Sequence, residues 1–423
     1  MTPAASGTET TTEVGRPRPS RWPFRQVALV LAVTAFAAGI PTPLYPVYEG
    51  RFHFGSGTLA LIFAAYTLGV VTTLFLLAPQ SDLLGRKPVL HIGMALAAAS
   101  ALAFLFAGGV FGLALARVLS GLAVGATTST STACLASLEP RHDQHHVARV
   151  AVAANFGGVS VGVLLSGLLV EYAPWPTELV FLLLFALSGI GFLLISRTPE
   201  TVPAWNRSVS PAVQRMRVPH EIGSAFWVSV GGLAACYSLY GLFAALAPSL
   251  LRSGLGLSNT AVVGASVATL FGCAALVQLV LGQVRDRDAL LLGLPLLLGG
   301  LGLFVLALGA GSFPLLAGSA AVLGVGVGCA FMGSVTLIDR IAPERSRGEI
   351  LSAFYVAGYL ALAVPTIGVA ELAELAGLRT AGLVFGVALG AITAVLWGLT
   401  RRTPTPAGGE GWPRGAREIV PGR

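Results

Sequence analysis

Charge is scarce in this chain. Only 11% of its 423 residues are Asp, Glu, Lys or Arg, 55% are hydrophobic, and the mean hydropathy is +0.80. A soluble domain of this length needs a charged exterior, so that class is excluded. Carboxylates are scarcer still within the apolar stretches. Of 19 Asp and Glu, none falls deep inside one; Glu49, Glu171, Asp339 and Glu371 stand at the ends. The four cysteines, Cys134, Cys236, Cys273 and Cys329, lie singly, which argues against disulfides and zinc and leaves them as small packing residues. No nucleotide-phosphate loop, catalytic triad or cofactor fingerprint occurs, so no cofactor or metal is expected and an ATP-driven pump is disfavoured. A membrane-embedded enzyme is disfavoured as well, for want of intramembrane Asp, Glu or His.

What the chain has is long apolar runs. About 20 such residues span a bilayer as a helix, at about 1.5 Å of rise each. Twelve runs qualify: 27–47, 58–79, 88–108, 110–136, 148–170, 178–196, 224–250, 260–282, 289–309, 313–337, 350–371 and 379–400. Backbone in lipid must bond to itself, so runs this long are helices and not barrel strands. The expected class is an all-α integral membrane protein with twelve transmembrane helices.

The cations set the orientation. With the N-terminus inside, 22 Lys and Arg fall in internal segments, three (Arg51, Arg252, Arg379) fall outside, and Arg117 falls within a span. That asymmetry follows the positive-inside rule and puts both termini in the cytoplasm, in a multi-pass protein of the plasma membrane. It also accounts for the pI of about 9.6. The cations are spread over seven short segments and form no single face, so no nucleic-acid partner is expected, only membrane lipid. His142, His145 and His146, in "EPRHDQHHVAR", read as a solvated cytoplasmic loop and not as a metal site. The expected assembly is a monomer.

Residues 1–26 form a Thr-, Pro- and Arg-rich tail expected to be disordered, and residues 401–423 a second tail. A cytoplasmic linker, 197–223, divides the helices into bundles at 27–196 and 224–400. Six plus six points to duplication. Arg117-x3-Gly121-x3-Gly125 returns 203 positions later as Ala320-x3-Gly324-x3-Gly328, and Glu139-Pro140 returns as Ala342-Pro343. One residue further out, Gly282, Asp286 and Arg287 stand opposite Ala78, Asp82 and Leu83. Parallel repeats around a midplane cavity are a transporter architecture.

Three stretches carry candidate chemistry. "SDLLGRKPVL" sets Asp82, Gly85, Arg86 and Lys87 between two apolar runs. Gly85 supplies backbone freedom for a tight turn, and Arg86 and Lys87 read mainly as topogenic cations. Asp82 is not needed for topology and invites a partner, such as a helix N-terminus with its unpaired N–H groups. Arg117, about 10 Å into the fourth span, is an intramembrane cation and therefore a functional candidate. It shares a helical face with Ser120, Gly121 and Gly125; the alternative is an arginine snorkelling to headgroups. In the fifth span, Asn155, Gly158, Gly162 and Ser166 make a small and polar stripe; with Arg117, Gly121 and Gly125, the first three are candidates to line a coupling and substrate cavity, though ordinary helix packing would also explain the glycines. Tyr237 with Tyr240, and Tyr355 with Tyr359, are candidates to line an apolar, aromatic cavity or simply to pack. Thr34, Pro41, Tyr45 and Tyr48 make a stripe on the first helix that is a further candidate for the cavity, with interfacial anchoring the alternative for Tyr45, Tyr48 and Trp22.

These stretches resemble signatures of the major facilitator superfamily. The loop matches Gly-x3-Asp-Arg/Lys-x-Gly-Arg/Lys-Arg/Lys at Asp82, Gly85, Arg86 and Lys87, with Ala78 and Leu83 departing from it. "RVLSG" is similar to the family's Arg-x-x-Gln-Gly, with Ser120 at the glutamine. Gly158-x3-Gly162-x4-Gly167 is similar to the fifth-helix signature of proton antiporters of drugs and metabolites, with Val163 at its proline. The resemblance implies two six-helix bundles around a central cavity. It also implies that Asp82 latches the start of helix 11 near Gly348–Leu351, with Gly282, Asp286 and Arg287 as the second half's version of that loop.

The expected function is a secondary active transporter exporting a hydrophobic or amphipathic small molecule by alternating access. Protons are the expected coupling ion, carried by Asp82, Glu49, His53 or His91, or by one of these under the influence of Arg117. An importer of a neutral nutrient remains the alternative within transport. A non-transporting receptor or scaffold is the alternative outside it, and leaves Asp82 and Arg117 without roles.

Overall fold

The structure is a computed structural model that describes residues 22–76, 85–140, 143–202, 223–281, 286–342 and 347–402. Among the described residues there are twelve helices apolar and long enough to cross a membrane, and no strand. Helix α1 comprises Trp22–Gly39, a 3-10 turn Thr42–Leu44, and Tyr45–Phe52. There follow α2 (Ser56–Leu76), α3 (Arg86–Leu105), α4 (Val110–Leu138), α5 (Gln144–Tyr172) and α6 (Leu179–Arg197). The second set opens with α7, made of Gly223–Gly241, a π turn Leu242–Leu246 and Ala247–Leu255. It continues with α8 (Thr260–Val280), α9 (Asp286–Ala310), α10 (Phe313–Ile341), α11 (Arg347–Ala376) and α12 (Leu378–Arg402). Most helix ends fall a few residues outside the apolar runs, because polar end turns such as Gln144–His146 extend the helices beyond the grease. Much of both tails and of the linker lies outside the described residues.

The helices form two six-helix bundles. In the first, α1 packs on α4, α5 and α6, α2 on α4, and α3 on α4 and α6. Each of these pairings recurs six helices later in the second bundle. The bundles meet along α5–α8 and α2–α11, which exchange under the same shift. Helices α1 and α7 are the inner ones, with 78% and 83% of their apolar windows buried, against 28% for α12 on the rim.

The sequence repeat is visible as packing. A side chain at Gly121 would overlap the Tyr66 carbonyl of α2, and one at Gly125 would overlap the Thr73 hydroxyl. In the second bundle Gly324 abuts the Leu270 carbonyl of α8, and a Cβ at Gly328 would lie 2.8 Å from Cβ of Val277. Small residues let backbones approach in lipid, where apolar burial gives no drive for helix pairing and close packing supplies it.

Both inner helices are broken at the same level, α1 at Pro41–Pro46 and α7 around Pro248. Proline removes a backbone donor, and the turns on either side change register to 3-10 or π. In α1 the Leu44 N–H bonds to the Pro41 carbonyl at 3.1 Å, which leaves the Ile40 carbonyl without its helical donor. Ser166 of α5 donates to it at 2.7 Å.

Candidate functional site

Helix polarity places Trp22 and Arg402 at one end of the molecule, here the terminal end, and the α1–α2 and α7–α8 connections at the other, the distal end. Three sites follow, from the terminal end to the distal one.

At the terminal end Gly85 adopts a left-handed φ of +93° and leads into α3. The next two amides donate to one carboxylate, Arg86 N–H to Glu200 at 3.2 Å and Lys87 N–H at 3.0 Å. Glu200 also accepts from its own downstream backbone, Thr201 at 2.9 Å and Val202 at 3.2 Å. Partial burial works to raise the Glu200 pKa, but these four N–H bonds outweigh it and hold the carboxyl below its ordinary range. Arg86 reaches the Ala133 carbonyl at 2.8 Å and the Ser137 hydroxyl of α4, and Lys87 reaches the Ser196 carbonyl of α6 at 2.7 Å. These two cations therefore pin the start of α3 to the ends of α4 and α6, beyond any topogenic role. Arg287 does the same work in the second bundle, donating to the Arg401 carbonyl of α12 at 3.1 Å. His91 is likewise engaged between α3 and α6, with Nδ1 2.9 Å from the Lys87 carbonyl and Nε2 3.0 Å from the Ser196 hydroxyl. Asp82 and Gly282, with His142, lie outside the described residues, and so does the expected contact of Asp82 with the start of α11, which begins at Arg347; Asp286 begins α9.

Midway along the bundles lies a small cavity of about 80 Å³. The first bundle lines it with Phe63, Tyr66, Arg117, Asn155 and Phe156, and the second with Tyr237, Tyr240, Phe271 and Tyr359. Phe156 of α5 joins the two walls, with its ring 5.4 Å from Tyr240 and 5.1 Å from Phe331. Arg117 is 1% exposed, so it does not snorkel. Its Nε donates to the Tyr45 hydroxyl at 2.6 Å, a terminal nitrogen donates to the same oxygen, and the other donates to the Ala38 carbonyl at 3.1 Å. The guanidinium also lies 5.3–5.6 Å from the ring centres of Tyr45, Phe63 and Tyr66, within cation–π range.

The geometry favours one of the two readings left open for several residues. Gly121 and Gly125 face α2, while Gly158 and Gly162 abut Ala32 and Phe36 of α1, so all four are helix-packing positions and not cavity lining. Tyr355 packs edge-on against Phe354 and does not border the cavity. Tyr45 and Tyr48 are 1% and 2% exposed, which rules out the interfacial-anchor alternative for them. Tyr45 is the main partner of Arg117, and its place on the helix-1 stripe with Thr34 and Pro41 is the sequence signal for it. Tyr66 and Phe156 carry no such signal, since an aromatic in an apolar run has no mark of which way it faces.

The distal end is closed by bonds between the bundles. Glu374 of α11 accepts from the Gly57 N–H at the start of α2, and Glu171 of α5 accepts from the Thr260 N–H at the start of α8, each at 2.7 Å. Glu49 of α1 accepts from Ser249 of α7 at 2.8 Å, and Ser56 donates to the Ala370 carbonyl at 3.2 Å. Beside them a surface cleft of about 340 Å³ lies between the bundles, lined in part by Glu49, Ser249 and Arg252. Gly167 and Gly264 bring α5 and α8 together below this layer, with a Cβ at Gly167 only 3.2 Å from Gly264 Cα.

The Major Facilitator Superfamily model matches residues 27–366 and 228–422, across both bundles. The chain belongs to that superfamily. Among curated relatives of this superfamily member, the multidrug transporter MdfA of Edwardsiella ictaluri is 28% identical over 228 residues, 53% of this chain and 54% of the relative. The MFS-type transporter YybF of Bacillus subtilis is 26% identical over 160 residues, 36% of this chain and 39% of the relative. The matches thus span about half the length of the first and less of the second. The crystal structure of the human organic anion transporter MFSD10 (TETRAN) superposes with a TM-score of 0.68 at 17% identity, covering 91% of this chain and all of that one. That likeness concerns the fold, and it agrees with the twelve-helix, two-bundle arrangement of a multi-pass membrane transporter.

Proposed function

We propose that this protein is a secondary active transporter that exports a hydrophobic or amphipathic small molecule against proton entry. The cavity carries the reading. It lies where the two bundles meet, so its access changes when they rock, and its walls combine aromatic rings with one buried cation. At about 80 Å³ it is smaller than the roughly 300–1,000 Å³ of a drug-sized site, so loading requires the bundles to part. The relative named as a multidrug transporter supports export over nutrient uptake. The charge asymmetry supports a plasma-membrane protein with both termini cytoplasmic, and the completeness of the cavity within one chain supports a monomer. Among the described residues no carboxylate lines the cavity, so coupling falls to carboxylates nearer the ends: Asp82 in its loop and those of the distal closure.

Efflux from cells with and without the protein, across a panel of amphipathic drugs and aromatic metabolites, tests this reading. Faster efflux that disappears when the proton gradient is collapsed is expected. Equal retention in both cells contradicts transport of this class, and gradient-driven accumulation favours the importer.

A further inference from the structure

Arg117 brings a full positive charge to the cavity wall, and all of its partners are neutral. The Tyr45 hydroxyl and the Ala38 carbonyl accept three of the guanidinium's five N–H groups. Among the described residues it forms no ion pair. Buried arginines ordinarily meet a carboxylate, because an isolated charge away from water is costly. Here the rings of Tyr45, Phe63 and Tyr66 offset part of that cost through their π faces. A second group, on the facing wall from the other bundle, is also unmet: the Tyr240 hydroxyl is buried and has no hydrogen-bond partner among the described residues.

We infer that the cavity takes an aromatic organic anion, with its acidic group on Arg117 and the Tyr240 hydroxyl as an additional donor. The aromatic lining suits a flat ring system, and the acidic group supplies the missing counter-charge. A cationic ligand is disfavoured for a specific reason. Aromatic cages attract cations through ring faces, and the cage here is already filled by the protein's own guanidinium. A neutral ligand leaves the charge uncompensated. The inference names the substrate class of the transport reading above and rests on it only for the cavity being the loading site.

The test is equilibrium binding to the purified full chain, followed by quenching of intrinsic fluorescence. Three probes of one shape are compared: 2-naphthoate, 2-naphthamide and 2-naphthylmethylammonium. The parent is expected to prefer naphthoate by roughly 10- to 100-fold, the worth of a charged over a neutral hydrogen bond. Arg117→Gln should erase the preference, and Arg117→Lys should keep part of it. Tyr240→Phe should weaken naphthoate several-fold while leaving the order of the probes unchanged. Equal or absent binding of the three by the parent overturns the inference, whatever the variants do. So does a preference that survives Arg117→Gln. A preference seen in gluconate and abolished by chloride assigns an inorganic anion to Arg117, and this also overturns it. Binding needs no transport, so selective binding without efflux supports the ligand class while counting against the transport reading. Efflux of neutral and cationic drugs without anion selectivity does the reverse.

Discussion

Glu374 stands to Gly57 as Glu171 stands to Thr260. Each carboxylate ends a long helix, each accepts the N–H at the start of a helix in the other bundle at 2.7 Å, and the two pairs are 203 positions apart. A helix N-terminus has unpaired donors and a partial positive charge, so a carboxylate there makes a compact, breakable clasp. Two clasps related by the internal repeat close the distal end symmetrically, and rocking of the bundles has to break both.

The first prediction concerns this closure. Glu374→Gln and Glu171→Gln should each weaken it by about 0.3–2 kcal/mol, roughly a 2- to 30-fold shift toward the state open at the distal end. The double variant should shift further. Labelling of Asn155→Cys by an impermeant thiol reagent from that side reports the opening. Unchanged labelling rates in all three variants would show that the clasps do not hold the gate.

The second concerns pH at the terminal end. The Glu200 carboxyl is held below its ordinary value of 4.5 by backbone N–H bonds that prevail over partial burial. A depressed carboxylate stabilises its contacts fully above the unfolded value and loses that contribution as pH falls through the folded value. Docking of residues 197–202 on the start of α3 should therefore be constant above about pH 5 and loosen at lower pH. Hydrogen exchange at Arg86 and Lys87, corrected for intrinsic rates, measures it. Glu200→Gln should be loose throughout and flat with pH; a parent profile equally flat down to pH 3 goes against this.

The third prediction uses the repeated packing. Gly121→Ala and Gly324→Ala place a methyl against backbone carbonyls of α2 and α8. Each should destabilise by about 1–3 kcal/mol, seen as a lower melting temperature and yield of purified protein. If only one of the pair is harmful, the two bundles do not share this contact as equivalents.

The fourth addresses Tyr45. Tyr45→Phe removes the oxygen that accepts two of the Arg117 donors and leaves a buried cation less satisfied. A loss of about 1–3 kcal/mol in thermal stability is expected, and aromatic ligands that meet the guanidinium should restore more of it than in the parent. A variant as stable as the parent would mean that the tyrosine contributes only its ring.

Helix number and the place of Arg117 were legible because they depend on hydropathy and on one charge in an apolar run. The repeat at Gly121 and Gly324 was legible because close helix approach leaves few residue choices. Side-chain direction was not. Gly158 and Gly162 read equally well as cavity or packing, and only the position of α1 decides between them. Glu200 and Glu374 sit in ordinary polar stretches, and their roles come from helix N-termini more than a hundred residues away in sequence. The 203-residue offset from Glu171 would have found Glu374, had the repeat been followed to the helix ends.

The central claim is that the aromatic cavity at Arg117 is the path of a proton-coupled substrate. Its most direct test is transport in proteoliposomes with an imposed proton gradient, using a mixed panel of aromatic anions, cations and neutral compounds. The parent should move at least one of them in a gradient-dependent way. Arg117→Ala should lose most of that movement and Arg117→Lys should keep part, since lysine retains the charge without the planar fork. Full gradient-driven transport by a well-folded Arg117→Ala protein would contradict the account.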